Sequence, residues 1–196
     1  MGQKGKVLSG VIVAGIVLLL FIYFFTPKPY TPPISPASLD IGTVDVWREF
    51  RSPSERFVVS FPTPPQRAMD SVPMPSSDER IRYDMLLSQA KNGTICMVTI
   101  IDYPPSVDIA NPDAVLTTAI QEMVAGNPAN HLLKTEKGKW LGFPKTDFVI
   151  GSKDAVIDGR AILKGSSLFM ISVAAHDPQT ADAAFKKLSD SFVLTE

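Results

Sequence analysis

Apolar positions along this chain recur with three different spacings, and each spacing predicts a different element. From Val7 to Phe25 (VLSGVIVAGIVLLLFIYFF) the run is unbroken, uncharged, and carries polar groups only at Ser9 and Tyr23. As a helix rising ~1.5 Å per residue it spans about 28 Å, close to the ~30 Å hydrocarbon layer of a bilayer. A helix of a soluble core normally turns one polar face to water, and this run has no such face. It predicts a transmembrane helix. Farther along, Ile81, Tyr83, Met85 and Leu87 alternate with Arg82, Asp84 and Ser88, the period of a half-buried strand. Asn92-Gly93 follows as a tight-turn signal with positive φ expected at both positions, and Thr94 to Asp102 (TICMVTIID) returns as a central strand. A third spacing, i, i+4, i+7 and i+8 at Leu116, Ile120, Met123 and Val124, predicts a helix. Asn111 is its N-cap, Pro112 and Asp113 suit its first turn, and Gly126-Asn127-Pro128 stops it.

The same reading fills in the rest of the domain. Val44 to Arg51 and Arg56 to Phe61 are short strands separated by the turn cluster Ser52–Glu55. Gln66 to Met69 pairs briefly before a polar loop from Asp70 to Asp78. His131 to Trp140 and Phe143 to Ile150 flank a break at Gly142. Ala155 to Leu163 and Ser167 to Ala175 form a pair joined at Lys164-Gly165. Asp177 caps a last helix whose buried face is Ala181, Ala184, Phe185 and Leu188, and Ser191 to Leu194 ends extended. Strands, helix, strands, helix is the order of an α+β domain with a mostly antiparallel sheet and helices packed on it.

The apolar run divides the chain into a cytoplasmic N-terminus (1–6), a membrane anchor (7–25), a linker (26–43) and one domain (44–196). Lys4 and Lys6 precede the run, and only Lys28 lies close behind it, so positive charge stays inside and the domain lies outside the cytoplasm. Phe-Phe-Thr-Pro-Lys-Pro follows the run where a cleavage site would need small residues, so an uncleaved signal anchor is expected. Thr26 to Pro36 (TPKPYTPPISP) holds five prolines in eleven residues, which favours an extended spacer. Gly10 and Ala14, four apart, offer a small face for packing a second helix within the anchor.

Charge narrows the partners. Of 19 basic residues two precede the anchor, leaving 17 against 20 acidic residues in the remainder, about −3 net. That balance leaves no footprint for nucleic acid. A single cysteine, Cys96, excludes an internal disulfide, and its apolar surroundings in TICMV make it a core residue. His131 and His176 stand far apart with no H-x-E, H-x-x-x-H or CxxC spacing, so no metal site is expected. There is no G-x-S-x-G elbow, Walker loop or dinucleotide fingerprint, and Gly165-Ser166-Ser167 reads as a turn. Asp147, Asp154 and Asp158 are placed to share a sheet edge, and paired carboxylates can do hydrolytic work. Asn92-Gly93-Thr94 is formally a glycosylation sequon, although the turn already accounts for Asn-Gly.

Several stretches together carry a family resemblance. WREF, RFVVSFPTPP, a strand ending IIDYPP, LGFPKTDFVI, SLFMISVAA and a closing AAFKKLSDSFVL resemble the PsbP/Mog1-like superfamily over residues 44–195. The resemblance rests on Phe57, Phe61, Pro62, Gly142, Phe185, Ser191 and Phe192, which are core and turn residues. It implies an antiparallel sheet sandwiched between helices. Its members imply non-enzymatic roles: accessory subunits of membrane complexes, a small-GTPase binder, and exported bacterial proteins. The expected function is therefore a single-pass, membrane-anchored, non-catalytic domain that binds a protein partner outside the cytoplasm, without cofactor or metal. Two other readings stand beside it: a groove between sheet and helices for a lipid or apolar ligand, with Met69, Met74 and Met123 as candidate lining, and a hydrolase built on the three aspartates.

Overall fold

The computed structural model describes residues 46–54, 56–74 and 78–195. The expected cytoplasmic N-terminus, anchor and linker lie outside the described residues, and among those described no helix is long and apolar enough to cross a membrane. Among the described residues, ten strands and two helices follow in order: β1 (Arg48–Arg51), β2 (Phe57–Phe61), β3 (Gln66–Pro73), β4 (Arg80–Gln89), β5 (Ile95–Asp102), α1 (Pro112–Ala125), β6 (His131–Trp140), β7 (Phe143–Gly151), β8 (Val156–Lys164), β9 (Ser167–Ala175), α2 (Pro178–Ser191) and β10 (Val193–Leu194). Strands β3-β4-β5-β9-β8-β7-β6 form one seven-stranded sheet, and β1-β2-β10 form a small second one. Every pairing is antiparallel.

The core has two layers because the central strands are apolar on both faces. Along β9 every residue but Ala174 is buried. Leu168 and Met170 face a layer with Leu116 and Ile120 of α1, Phe148 and Ile150. Phe169, Ile171 and Val173 face the opposite layer, with Leu188 of α2, Phe57 and Phe61 of the small sheet, and Phe192. The large sheet is thus covered by α1 on one face and by α2 with the small sheet on the other, the expected α+β sandwich. Phe192 joins these parts: its ring lies 5.2 Å from Phe57, 5.7 Å from Trp140 and 6.2 Å from Phe169. Ser191 does the same with hydrogen bonds, accepting from Ser60 N (2.9 Å) and donating to Leu188 O (2.8 Å).

Both helices start as their caps specify. Asn111 accepts from Ala114 N, and Asp177 accepts from Thr180 N, each with proline at the start of the helix. The burial stripe of α1 includes Leu116, Ile120 and Met123 as expected, together with Ala119 and Glu122. Val124 is only half-buried.

Three local expectations need correction. The polar stretch from Asp70 is strand through Pro73: Asp70 to Pro73 pair with Tyr83 to Arg80, and Arg80 donates to the Oγ and the carbonyl of Ser71. An edge strand exposed to water gains its order from the ladder, so it carries no apolar alternation. Strand β1 begins at Arg48, four residues later than expected, with residues 44–45 outside the described part. Asn92-Gly93 does not form a two-residue turn with two positive φ angles. Ala90 N donates to Thr94 O, Gly93 N donates to Ala90 O, and only Gly93 has positive φ (+86°). This is a three-residue loop, with Asn92 Oδ1 accepting from Thr94 N (3.0 Å). The turn with two positive φ angles is Leu141-Gly142 (+49° and +85°), between β6 and β7.

Candidate functional site

The three aspartates do not meet as a group. Asp154 lies in the turn after β7, while Asp147 and Asp158 stand on neighbouring strands and share a concavity of about 210 Å³ with Lys134, Glu136, Asp182 and Phe185. Asp147 accepts from Arg160 Nε (2.6 Å) and is also bonded by Lys145. Burial works to raise the Asp147 carboxyl, but these two cations outweigh it and hold it below the usual carboxylate range. Asp158 goes the other way: burial, and then the charge of Asp182, push its carboxyl up. Asp182 is a member of this acid group that sequence spacing misses, because it arrives from α2. The ionised carboxylate is engaged by two cations, so the arrangement neutralises charge between sheet and helix. Among the described residues no three His, Cys, Asp or Glu side chains are placed to hold a metal ion.

The remaining candidates occupy structural positions. Cys96 is fully buried in the α2-side layer. His176 Nδ1 lies 3.0 Å from the carbonyl of Asp154, linking the start of α2 to the β7–β8 turn. His131 pairs with Gly151, and its ring occupies the space where a Cβ at that glycine would sit, 2.7 Å from Nε2. Ser166 is in the β8–β9 turn and Ser167 in the sheet. Met123 and Met74 pack in the α1-side layer. Met69, on the edge strand β3, is 61% exposed. The three methionines therefore line no common groove.

A polar cluster that sequence reading overlooked ties three strands together at one end of the large sheet. Arg56 Nη1 donates to both carboxylate oxygens of Asp102 (2.9 and 3.0 Å), Arg56 Nη2 donates to Ser167 Oγ, and Ser167 Oγ donates to Asp102 (2.6 Å). Arg82 approaches the same carboxylate at 4.0 Å, and the Arg56 guanidinium lies 5.2 Å from the centre of the Phe169 ring. The Asp102 carboxylate thus accepts from both Arg56 and Ser167. The cluster is a clamp and offers no reactive group.

Open concave surface lies at the other end, where the chain comes into the domain. Val46, Phe50, Phe61, Pro62, Pro64 and Pro65 line a groove of about 540 Å³, with Arg48, Glu49 and Lys91 among its polar lining. Trp47 lines a second hollow of about 430 Å³, between the β4–β5 turn and the first turns of α2. Lys187 Nζ lies 4.9 Å from the Trp47 ring centre. The expected groove between the large sheet and its helices is not what forms. Concavity arises instead around β1, where the proline-rich β2–β3 connection, tied to β4 through Thr63 and Ser88, forms one wall.

No protein-family model matches the chain, and no curated protein is a significant match. Among solved structures it is similar to the solution structure of cyanobacterial PsbP (CyanoP) from Synechocystis sp. PCC 6803. The TM-score is 0.49 and the identity 10%, over 84% of this chain and 100% of that one.

Proposed function

We propose that this protein is a membrane-tethered, non-catalytic binding module whose ligand is another protein outside the cytoplasm. The observation that carries the reading is the open groove beside β1, about 540 Å³ and floored by Val46, Phe50, Phe61 and prolines. A cleft of this size and polarity accepts apolar side chains of a partner. Support also comes from the uncharged run Val7–Phe25, which would hold the domain near a bilayer and raise the local concentration of partners there. Of the groups that sequence offered for catalysis, Asp147 is paired with Arg160 and Lys145, and Cys96 is packed in the core. The test is to extract the full chain in mild detergent at native abundance and measure the mass and composition of the particle. Stoichiometric protein companions are expected; a lone monomer defeats the reading.

A second reading is favoured by the same groove: an acyl chain lying on its apolar floor, with Arg48 and Lys91 meeting an anionic headgroup. Copurified lipid, lost when Phe50→Asp fills the floor with charge, would support this ligand over a protein.

A further inference from the structure

The tip of the β6–β7 hairpin sets a large apolar residue where the backbone disfavours one. Leu141 has φ +49° and is 70% exposed, so it neither suits the turn nor fills the core. Asn or Gly takes such a position without strain. The aromatic residues on either side of it are packed. Trp140 is half-buried against Phe192, and Phe143 is half-buried with Lys164 Nζ 5.5 Å from its ring centre. Lys139 is exposed beside the tip. Strand pairing places this turn at the same end as the Asp102 and Ser167 pair, and Trp47 lies at the opposite end, beside the β4–β5 turn. The tip therefore lies at the end of the large sheet opposite Trp47 and the β4–β5 turn.

Resting on the binding-module reading, we propose that this tip is a second contact surface. Its ligand is a protein presenting an apolar pocket rimmed by carboxylates, with Leu141 seated in the pocket and Lys139 and Lys164 at the rim. A bilayer fits less well. Only one apolar side chain stands clear at the apex, because the flanking rings are committed inward. A pocket that desolvates one side chain and matches its collar of positive charge suits this geometry.

The test uses the full chain in mild detergent at native abundance, comparing wild type with Leu141→Asn and with Lys139→Glu/Lys164→Glu. Leu141→Asn relieves the backbone, so its melting temperature should equal or exceed that of wild type. Loss of binding in that variant then cannot come from unfolding. The expected result is at least a tenfold loss of the protein companion in both variants, and earlier release of the wild-type companion as salt rises. Companions retained within twofold by Leu141→Asn overturn this contact and leave the binding-module reading standing. Loss of anionic lipid with protein companions unchanged assigns the tip to a bilayer and also overturns it. A wild-type particle with no companion removes both proposals.

Discussion

Glu122 is a carboxylic acid in an apolar layer. It is 5% exposed on the sheet side of α1, and neither carboxylate oxygen has a hydrogen-bond partner. Burial pushes its carboxyl from an ordinary 4.5 to about 8, so the side chain is neutral in the folded protein at pH 7 and ionised in the unfolded chain. Between those two values the unfolded state holds one proton fewer than the folded state. Stability therefore falls as pH rises, by about 1.4 kcal/mol per pH unit from this group alone. The effect is absent below pH ~4.5 and reaches about 3 kcal/mol at pH 7. Glu122→Gln removes the proton linkage while keeping the shape. With a urea m-value of ~2 kcal/mol per M, the variant's midpoint should exceed that of wild type by about 1.5 M at pH 7. At pH 4.5 the two should nearly coincide. Urea titrations of the full chain in mild detergent, at pH 4.5, 6 and 7.5, read this directly. Asp158 also titrates upward, through burial and the charge of Asp182. The diagnostic is therefore the difference between wild type and variant, not either profile alone. Parallel profiles would refute the reasoning. Tyr103 offers a second readout: burial and then the Glu122 charge raise its phenol, so its alkaline titration should move down in Glu122→Gln.

Three further outcomes follow from packing and hydrogen bonds. A Cβ at Gly159 would come within 2.3 Å of Phe148, whose ring lies across the glycine on the neighbouring strand. Gly159→Ala should cost about 1–3 kcal/mol by chemical denaturation, and a neutral result would mean that the ring moves freely. Asp102→Ala should cost about 1.5–3 kcal/mol, because it strips Arg56 and Ser167 of a shared acceptor. In a double-mutant cycle with Arg56→Ala the losses should be clearly less than additive, and strict additivity would deny the clamp. Asn111→Ala removes the α1 cap and should cost about 1 kcal/mol, read as a fall in melting temperature.

What could be read from the sequence depended on the range of the interaction. Helix starts were legible because Asn111-Pro112 and Asp177-Pro178 are local signals that act within one turn. Strands β4, β5 and β9 were legible because each has at least one buried face that imposes a pattern. Strand β3 past Met69 was not, since its partner in β4 supplies the order and only Val72 among its last residues packs on the core. The tight turn was assigned to Asn92-Gly93, where the residues favour it, while the two positive φ angles fall at Leu141-Gly142, against residue preference. Such a disagreement between local preference and fold is expected where something beyond stability shapes the residue. The Arg56–Asp102–Ser167 clamp and the arrival of Asp182 beside Asp158 join residues distant in sequence, so no spacing rule finds them. The groove was misplaced for a related reason. Its walls come from β1 and the β2–β3 prolines, and a pattern read along single strands does not show which segments come together.

Strand β10 has only two residues, yet it settles the order in which the domain can be completed. Val193 and Leu194 pair with Val58 and Phe57, and Thr195 N donates to the carbonyl of Arg56. Phe192, immediately before them, is the ring on which Phe57, Trp140 and Phe169 converge. A ribosome must therefore have released nearly the whole domain before its earliest strands can find their last partner. Contacts of such long sequence separation form slowly. While synthesis proceeds, the β1–β2 hairpin keeps one edge open and the α2-side layer lacks its central ring. Until Phe192 to Leu194 have been made, the domain lacks the residues that close this layer.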